Sequence, residues 1–282
     1  ISDTRYHYAE TIEKYKQKGV IYMTDTFMKT MSNKVPEITI LFWITKILTT
    51  GMGEVFSDYV FFNKAFLKEH VLLAGAAGLV ITILIQMLAH RYIVWRYWLA
   101  VVAVSIFGTM FADYIHDGLN LDFMESTLLF LGFQCTIFLF WYATEKTLSI
   151  TSLYTHRREF FYWATVLGTF ALGTAAGDFT ADGLGWGTLT SGIGFTVLIL
   201  VPAFGYRYLH WNSIFAFWFA YIMTRPLGAS FSDWMARDLG WGTGPVSLAL
   251  TLLILLLVGF LAYQQNTADK SSHLVSPSEA NR

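Results

Sequence analysis

Charge is what this sequence has least of. Only 14% of its 282 residues are Asp, Glu, Lys or Arg, against about a quarter in an ordinary soluble domain. The deficit excludes a disordered chain, a nucleic-acid binder running on a basic field and most soluble enzymes. A single cysteine, Cys135, excludes an internal disulfide, and its apolar surroundings predict a buried, inert thiol. There is no Walker loop, nucleophile elbow, HExxH or CxxCH, so no enzyme activity and no cofactor are expected. The glycine-rich stretches 183–187 and 239–242 read as turns in external loops. The first twenty residues lack the basic-then-apolar order of a secretory signal, so no cleavage is expected there.

Apolar and aromatic residues are plentiful: 55% of the chain is apolar, with 10 Trp, 15 Tyr and 24 Phe. A bilayer of about 30 Å takes about 20 helical residues to cross. Runs of that kind lie near 38–62, 71–89, 97–116, 126–144, 160–181, 188–206, 214–235 and 245–263. The expected fold is an all-α membrane protein of eight transmembrane helices. A polar arm (1–34) precedes the membrane domain (35–264), and a Ser-rich tail (265–282) is expected to be disordered. Fourteen of the nineteen Lys and Arg fall in the two termini and in the loops after even-numbered spans. By the positive-inside rule both termini are cytoplasmic.

A four-point pattern recurs along the chain: Trp, Gly ten residues later, Asp five residues after that, then an aromatic. Its copies are Trp43–Gly53–Asp58, Trp98–Gly108–Asp113, Trp163–Gly173–Asp178 and Trp218–Gly228–Asp233. The aspartates are 55, 65 and 55 residues apart, which points to duplication of a pair. The repeats run about 35–92, 93–150, 157–210 and 211–264, each with two spans, so all four are parallel and related by pseudo-symmetry. Trp and Asp are separated by roughly 22 Å of helix, placing Trp near the cytoplasmic interface and Asp in the outer third. The small residues before each Asp (Ser57, Ala112, Gly177, Ser232) and the motif glycines make close-packing faces. The odd spans are expected inside and the even spans outside.

The stretch KVPEITILFWITKILTTGMGEVFSD, with FALGTAAGD (170–178) and TRPLGASFSD (224–233), closely resembles a bacterial family of polytopic membrane proteins. That family is built from four tandem copies of a domain of unknown function, each with two transmembrane segments and a Trp. The likeness covers about residues 34–264. It implies a bacterial inner-membrane protein and little about activity; some members are labelled membrane-anchored proteins predicted to regulate amylopullulanase.

An ionised Asp in hydrocarbon costs at least about 2.5–3.5 kcal/mol, so such groups face a bundle interior, a partner or water. Asp58, Asp113, Asp178 and Asp233 at one depth would form an acidic ring that exchanges protons for a cation, and its hard oxygens suit a bound divalent cation such as Mg, Ca or Mn. The alternative makes each Asp a hydrogen-bonded clip that defines the fold. Symmetry breaks in copy one, which alone has Lys46 and Glu54, and in copy four, which alone has Arg225-Pro226. Lys46 either snorkels or pairs with a carboxylate; Arg225 pairs with Glu54 or an Asp. Asp113, His116 and Asp117 have metal-ligand spacing on one turn, which also suits a solvated helix end. The leading expectation is a permease or exchanger for a small cation, proton-coupled, using Glu54, Asp58, Asp113, Asp178 and Asp233, with the lipid bilayer as its other partner. The second is a non-transporting membrane subunit that docks a protein partner. The oligomeric state is open.

Overall fold

Eight α-helices account for most of residues 34–63, 68–153 and 155–275, the part of the chain described by a computed structural model. They are α1 (Ile40–Asn63), α2 (Lys68–Met87), α3 (Val94–Leu119), α4 (Phe123–Glu145), α5 (His156–Asp178), α6 (Thr188–Tyr208), α7 (Ser213–Asp233) and α8 (Thr243–Val275). No strand occurs among the described residues. The arm up to residue 33 lies outside them.

Polar caps set the helix starts. Asp122 and Glu125 form a reciprocal capping box on α4, while the Thr155 and Asn212 side chains accept from the first turns of α5 and α7. Helices α5 and α7 each add one π-turn, Phe179–Gly183 and Trp234–Asp238. Both then enter the same loop, where Gly187 (φ 74°) and Gly242 (φ 83°) take a backbone conformation that a side chain would strain.

Six of the eight helices are long and apolar enough to cross a membrane; α1 and α7 are not among them. The reason is their polar content. Buried Lys46, Glu54 and Asp58 lie on α1, and buried Arg225 and Asp233 on α7.

The odd helices form the inner layer and close a ring, with α1 against α3, α3 against α5, α5 against α7 and α7 against α1. Side chains repeat this closure. In each copy the aromatic residue before the motif Trp packs on the Trp of the next copy. The ring-centroid distances are 5.8 Å for Phe42–Trp98, 5.7 Å for Tyr97–Trp163, 6.2 Å for Tyr162–Trp218 and 5.9 Å for Phe217–Trp43. All four lie in the range of favourable aromatic pairing. Eight rings thus seal the Trp end of the axis. Further along the axis from the Trp residues, the motif glycines make the same cyclic contact. A Cβ at Gly53 would meet Ser105, at Gly108 Phe170, at Gly173 Arg225, and at Gly228 Thr50 with the backbone of Ile47 and Gly51. Two hydroxyls use this close approach to bond across helices: Ser105 donates to the Thr49 carbonyl (2.8 Å) and Thr50 to the Thr224 carbonyl (3.0 Å).

The even helices lie outside, but each is displaced by one repeat. Helix α2 packs on α3, α4 on α5, α6 on α7 and α8 on α1, whereas α1–α2 and α3–α4 touch little. The sequence repeat is therefore not the packing unit.

Two expectations are corrected. Residues 265–275 are helical rather than disordered, because Gln265 bonds the backbone of Tyr92 and Val94 (2.8 and 3.2 Å) and Asp269 pairs with Arg91 (3.0 Å). The remainder of the tail lies outside the described residues. Cys135 is exposed, not buried, because it sits on the outward side of α4, where an apolar run faces lipid rather than a core.

Candidate functional site

Four levels of side chains line the ring's axis, spaced four residues apart on each inner helix. From the Trp end they are Lys46/Val101/Val166/Tyr221, Thr50/Ser105/Phe170/Arg225, Glu54/Thr109/Thr174/Ala229 and Asp58/Asp113/Asp178/Asp233. Residues at that spacing stay on one side of a helix, so what faces the axis at one level faces it at the next.

Arg225 holds the middle. It is fully buried and its guanidinium reaches all three other inner helices. Nη1 donates to the Thr50 carbonyl on α1 (2.8 Å), while Nη2 bonds Glu54 on α1, Thr109 on α3 and Thr174 on α5, the last at 2.8 Å. The three acceptors are the same repeat position in copies one, two and three; copy four has Ala229 there, which leaves room for the guanidinium. Both threonine hydroxyls donate to their own helix, Thr109 to Ser105 and Thr174 to Phe170, so their lone pairs are free to accept. Pro226 follows the arginine inside α7 and removes one helical N–H.

Lys46 is also fully buried, yet it does not pair with a carboxylate as one expectation had it. Its Nζ has no hydrogen-bond partner among the described residues and stands 3.8 Å from the Phe170 ring centroid and 4.4 Å from that of Tyr221. Glu54 is out of reach because Arg225 has taken it, eight residues further along α1. Nor does Lys46 snorkel to water, because the closed aromatic ring bars the way.

At the Asp level the four copies diverge. Arg237, in the π-turn after α7, bonds Asp58 at 2.8 Å and lies 3.7 Å from Asp233. Asp113 and Asp178 are half-buried and have no hydrogen bond or ion pair among the described residues. Glu54 and Asp58 lie within electrostatic reach of Asp113, Asp178 and Asp233, and Asp178 acts on both Asp113 and Asp233. The carboxylates therefore share one field. Sequence reasoning missed Arg237, although a signal exists: four residues after each motif Asp stand Phe62, Asp117, Asp182 and Arg237. Copies two and three gain a second acid where copy four gains a cation.

The Asp113, His116 and Asp117 trio is not a metal site, since no three His, Cys, Asp or Glu side chains among the described residues converge as a ligand set. The His116 ring instead lies 2.7 Å from the Ser126 hydroxyl and stacks on Phe123. That contact ties α3 to the start of α4.

Along the axis, five carboxylates (Glu54, Asp58, Asp113, Asp178, Asp233) face three basic side chains (Lys46, Arg225, Arg237). The two unmatched acids are Asp113 and Asp178, on adjacent helices. Such a pair can hold protons or a cation.

Three stretches of the chain, residues 96–147, 161–209 and 216–267, match the family described as Repeat of Unknown Function (DUF347), and together they cover just over half of it. They correspond to α3 with α4, α5 with α6 and α7 with α8. No curated protein and no solved structure gives a match.

Proposed function

Since the chain belongs to the family of this DUF347 repeat, whose description carries no activity, we propose a function from the axis itself: a permease or exchanger for a small cation, coupled to protons. In this reading all eight helices cross a bacterial inner membrane, with both termini in the cytoplasm. Helices α1 and α7 cross despite their polarity because neighbouring helices surround them and supply partners for their charges. The cation site is the pair Asp113 and Asp178, within electrostatic reach of Asp58 and Glu54 but not gathered with them into a set of three ligands.

The observation that carries the reading is the excess of acids over bases on a buried axis, placed on the two copies that Arg237 does not serve. Charges are retained in a bilayer where they act on a substrate or a proton, and oxygen-only ligands favour hard cations. The axis is closed by eight aromatic rings at the Trp end while Asp113 and Asp178 stay half-buried at the other, so in this reading the conformation is shut on the Trp side and a transport cycle requires the inner helices to part there.

The test is flux. Purified protein in liposomes should move at least one of Na⁺, K⁺, Mg²⁺, Ca²⁺ or Mn²⁺ in a pH-dependent manner. Asp113→Asn/Asp178→Asn should lower that flux at least tenfold while the protein stays monodisperse. No flux of any of these ions from the unaltered protein, or full flux from the double variant, would overturn the proposal. The same closure of the axis favours a second reading, a non-transporting membrane subunit, for which a stoichiometric co-purifying protein without flux is the expected result.

A further inference from the structure

Lys46 has no task in the cation site, yet it is the most isolated charge-bearing group on the axis. Nothing among the described residues accepts a hydrogen bond from its Nζ. The groups that face it are Phe170 from α5 and Tyr221 and Arg225 from α7, and Arg225 is itself a cation. Glu54 stands about 12 Å further along the same helix and is bonded to Arg225.

On the Trp side of Lys46 lies a buried trio of phenols. The Tyr97 and Tyr162 hydroxyls bond each other at 2.6 Å, and both lie within electrostatic reach of Tyr221, whose hydroxyl has no bond of its own. Tyr97 comes from α3, Tyr162 from α5. Groups that pass protons thus occur at successive levels from the aromatic seal to the carboxylates: the three phenols, Lys46, the Arg225–Glu54 layer, and Asp113 with Asp178. Lys46 is the one of these groups whose ionisable nitrogen has no hydrogen-bond partner among the described residues and rests only on two aromatic faces, so it can give up or take a proton without breaking a bond to a neighbour.

Building on the exchanger reading, we propose that Lys46 is the proton-carrying residue of the exchange. In the proton-loaded form its nitrogen is an ammonium held by two aromatic faces. When a cation binds at Asp113 and Asp178, one N–H bond of Lys46 breaks and a neutral amine remains; the proton passes along the Tyr221, Tyr162 and Tyr97 hydroxyls and reaches water when the inner helices part at the Trp end. The return step reverses this, with one proton gained as the cation departs. Arg225 couples the two sites, since it lies within electrostatic reach of both Asp113 and Lys46. A cation at the acids offsets the negative charge of Asp113 that Arg225 feels, and the less balanced positive charge of Arg225 then repels the proton of Lys46.

The experiment compares the unaltered protein with Lys46→Met and Lys46→Arg in liposomes carrying an internal pH indicator, driven by a gradient of Na⁺ or Mn²⁺. Unaltered protein should alkalinise or acidify the lumen in proportion to the cation moved. Both variants should lose at least nine-tenths of that proton movement per cation, and their cation flux should no longer depend on pH. A second measurement avoids transport altogether: adding the same cation to weakly buffered detergent-solubilised protein should release about one proton per chain, and Lys46→Met should release none. Proton movement or proton release that survives Lys46→Met in a folded protein overturns the assignment of Lys46 and leaves the exchanger standing. Absence of cation flux from the unaltered protein overturns the exchanger reading instead.

Discussion

Arg225→Met should lower stability by about 3–5 kcal/mol, the usual loss when one partner of a buried ion pair is removed. The guanidinium joins four helices through Glu54, Thr109, Thr174 and the Thr50 carbonyl. Without it, the Glu54 carboxyl, 3% exposed, loses the ion-pair partner it touches. Adding Glu54→Gln should recover most of the loss, because a neutral amide can still bond Thr109. Melting of the detergent-solubilised protein, followed by size exclusion, gives all four corners of that double-mutant cycle. If the single and the double variants melt alike, the pair does not hold the ring together.

Gly228→Leu should prevent the ring from closing at all. The new side chain would enter the Thr50 hydroxyl, the Ile47 carbonyl and the Gly51 nitrogen, and two of these are backbone atoms that cannot rotate aside. Overpacking of ordinary cores costs about 1–3 kcal/mol; here α1 and α7 must separate and forfeit the Thr50–Thr224 bond as well. The expected outcome is loss of the monodisperse species and protease sensitivity. Gly132→Ala on α4 is the control, because nothing lies within 4 Å of its Cβ position. That change should be neutral or gain up to about 1 kcal/mol from helix propensity. A monodisperse Gly228→Leu protein with an unchanged melting point would show that the seam tolerates side chains.

The pattern of Trp, Gly and Asp was legible in sequence because each of those residues performs a packing or charge role that recurs at a fixed helical offset. Trp43, Trp98, Trp163 and Trp218 close one end, and Gly53, Gly108, Gly173 and Gly228 bring the inner helices together, so periodicity alone revealed the parallel repeats and the inner layer. Which acid would claim Arg225 was not legible. Glu54 and the aspartates satisfy the same rules along the chain, and only the lateral placement of α7 beside α1 selects Glu54. The role of Arg237 was hidden for a related reason: it lies in a π-turn, where the extra residue per turn shifts a side chain off the helical register that spacing arguments assume. Lys46 lacked a legible partner because its neighbours are rings contributed by α5 and α7, more than a hundred residues away.

The one-repeat offset of the outer helices bears on how the molecule is made. Helix α1 precedes the other described helices, but the helix that shields it, α8, follows them all, so in chain order the outer side of α1 is covered only when the ring is complete. Cutting the α4–α5 connection would give two halves that each carry one unshielded inner helix and one unattached outer helix. Co-expressed, the halves have every surface needed to reassemble head to tail into the closed ring.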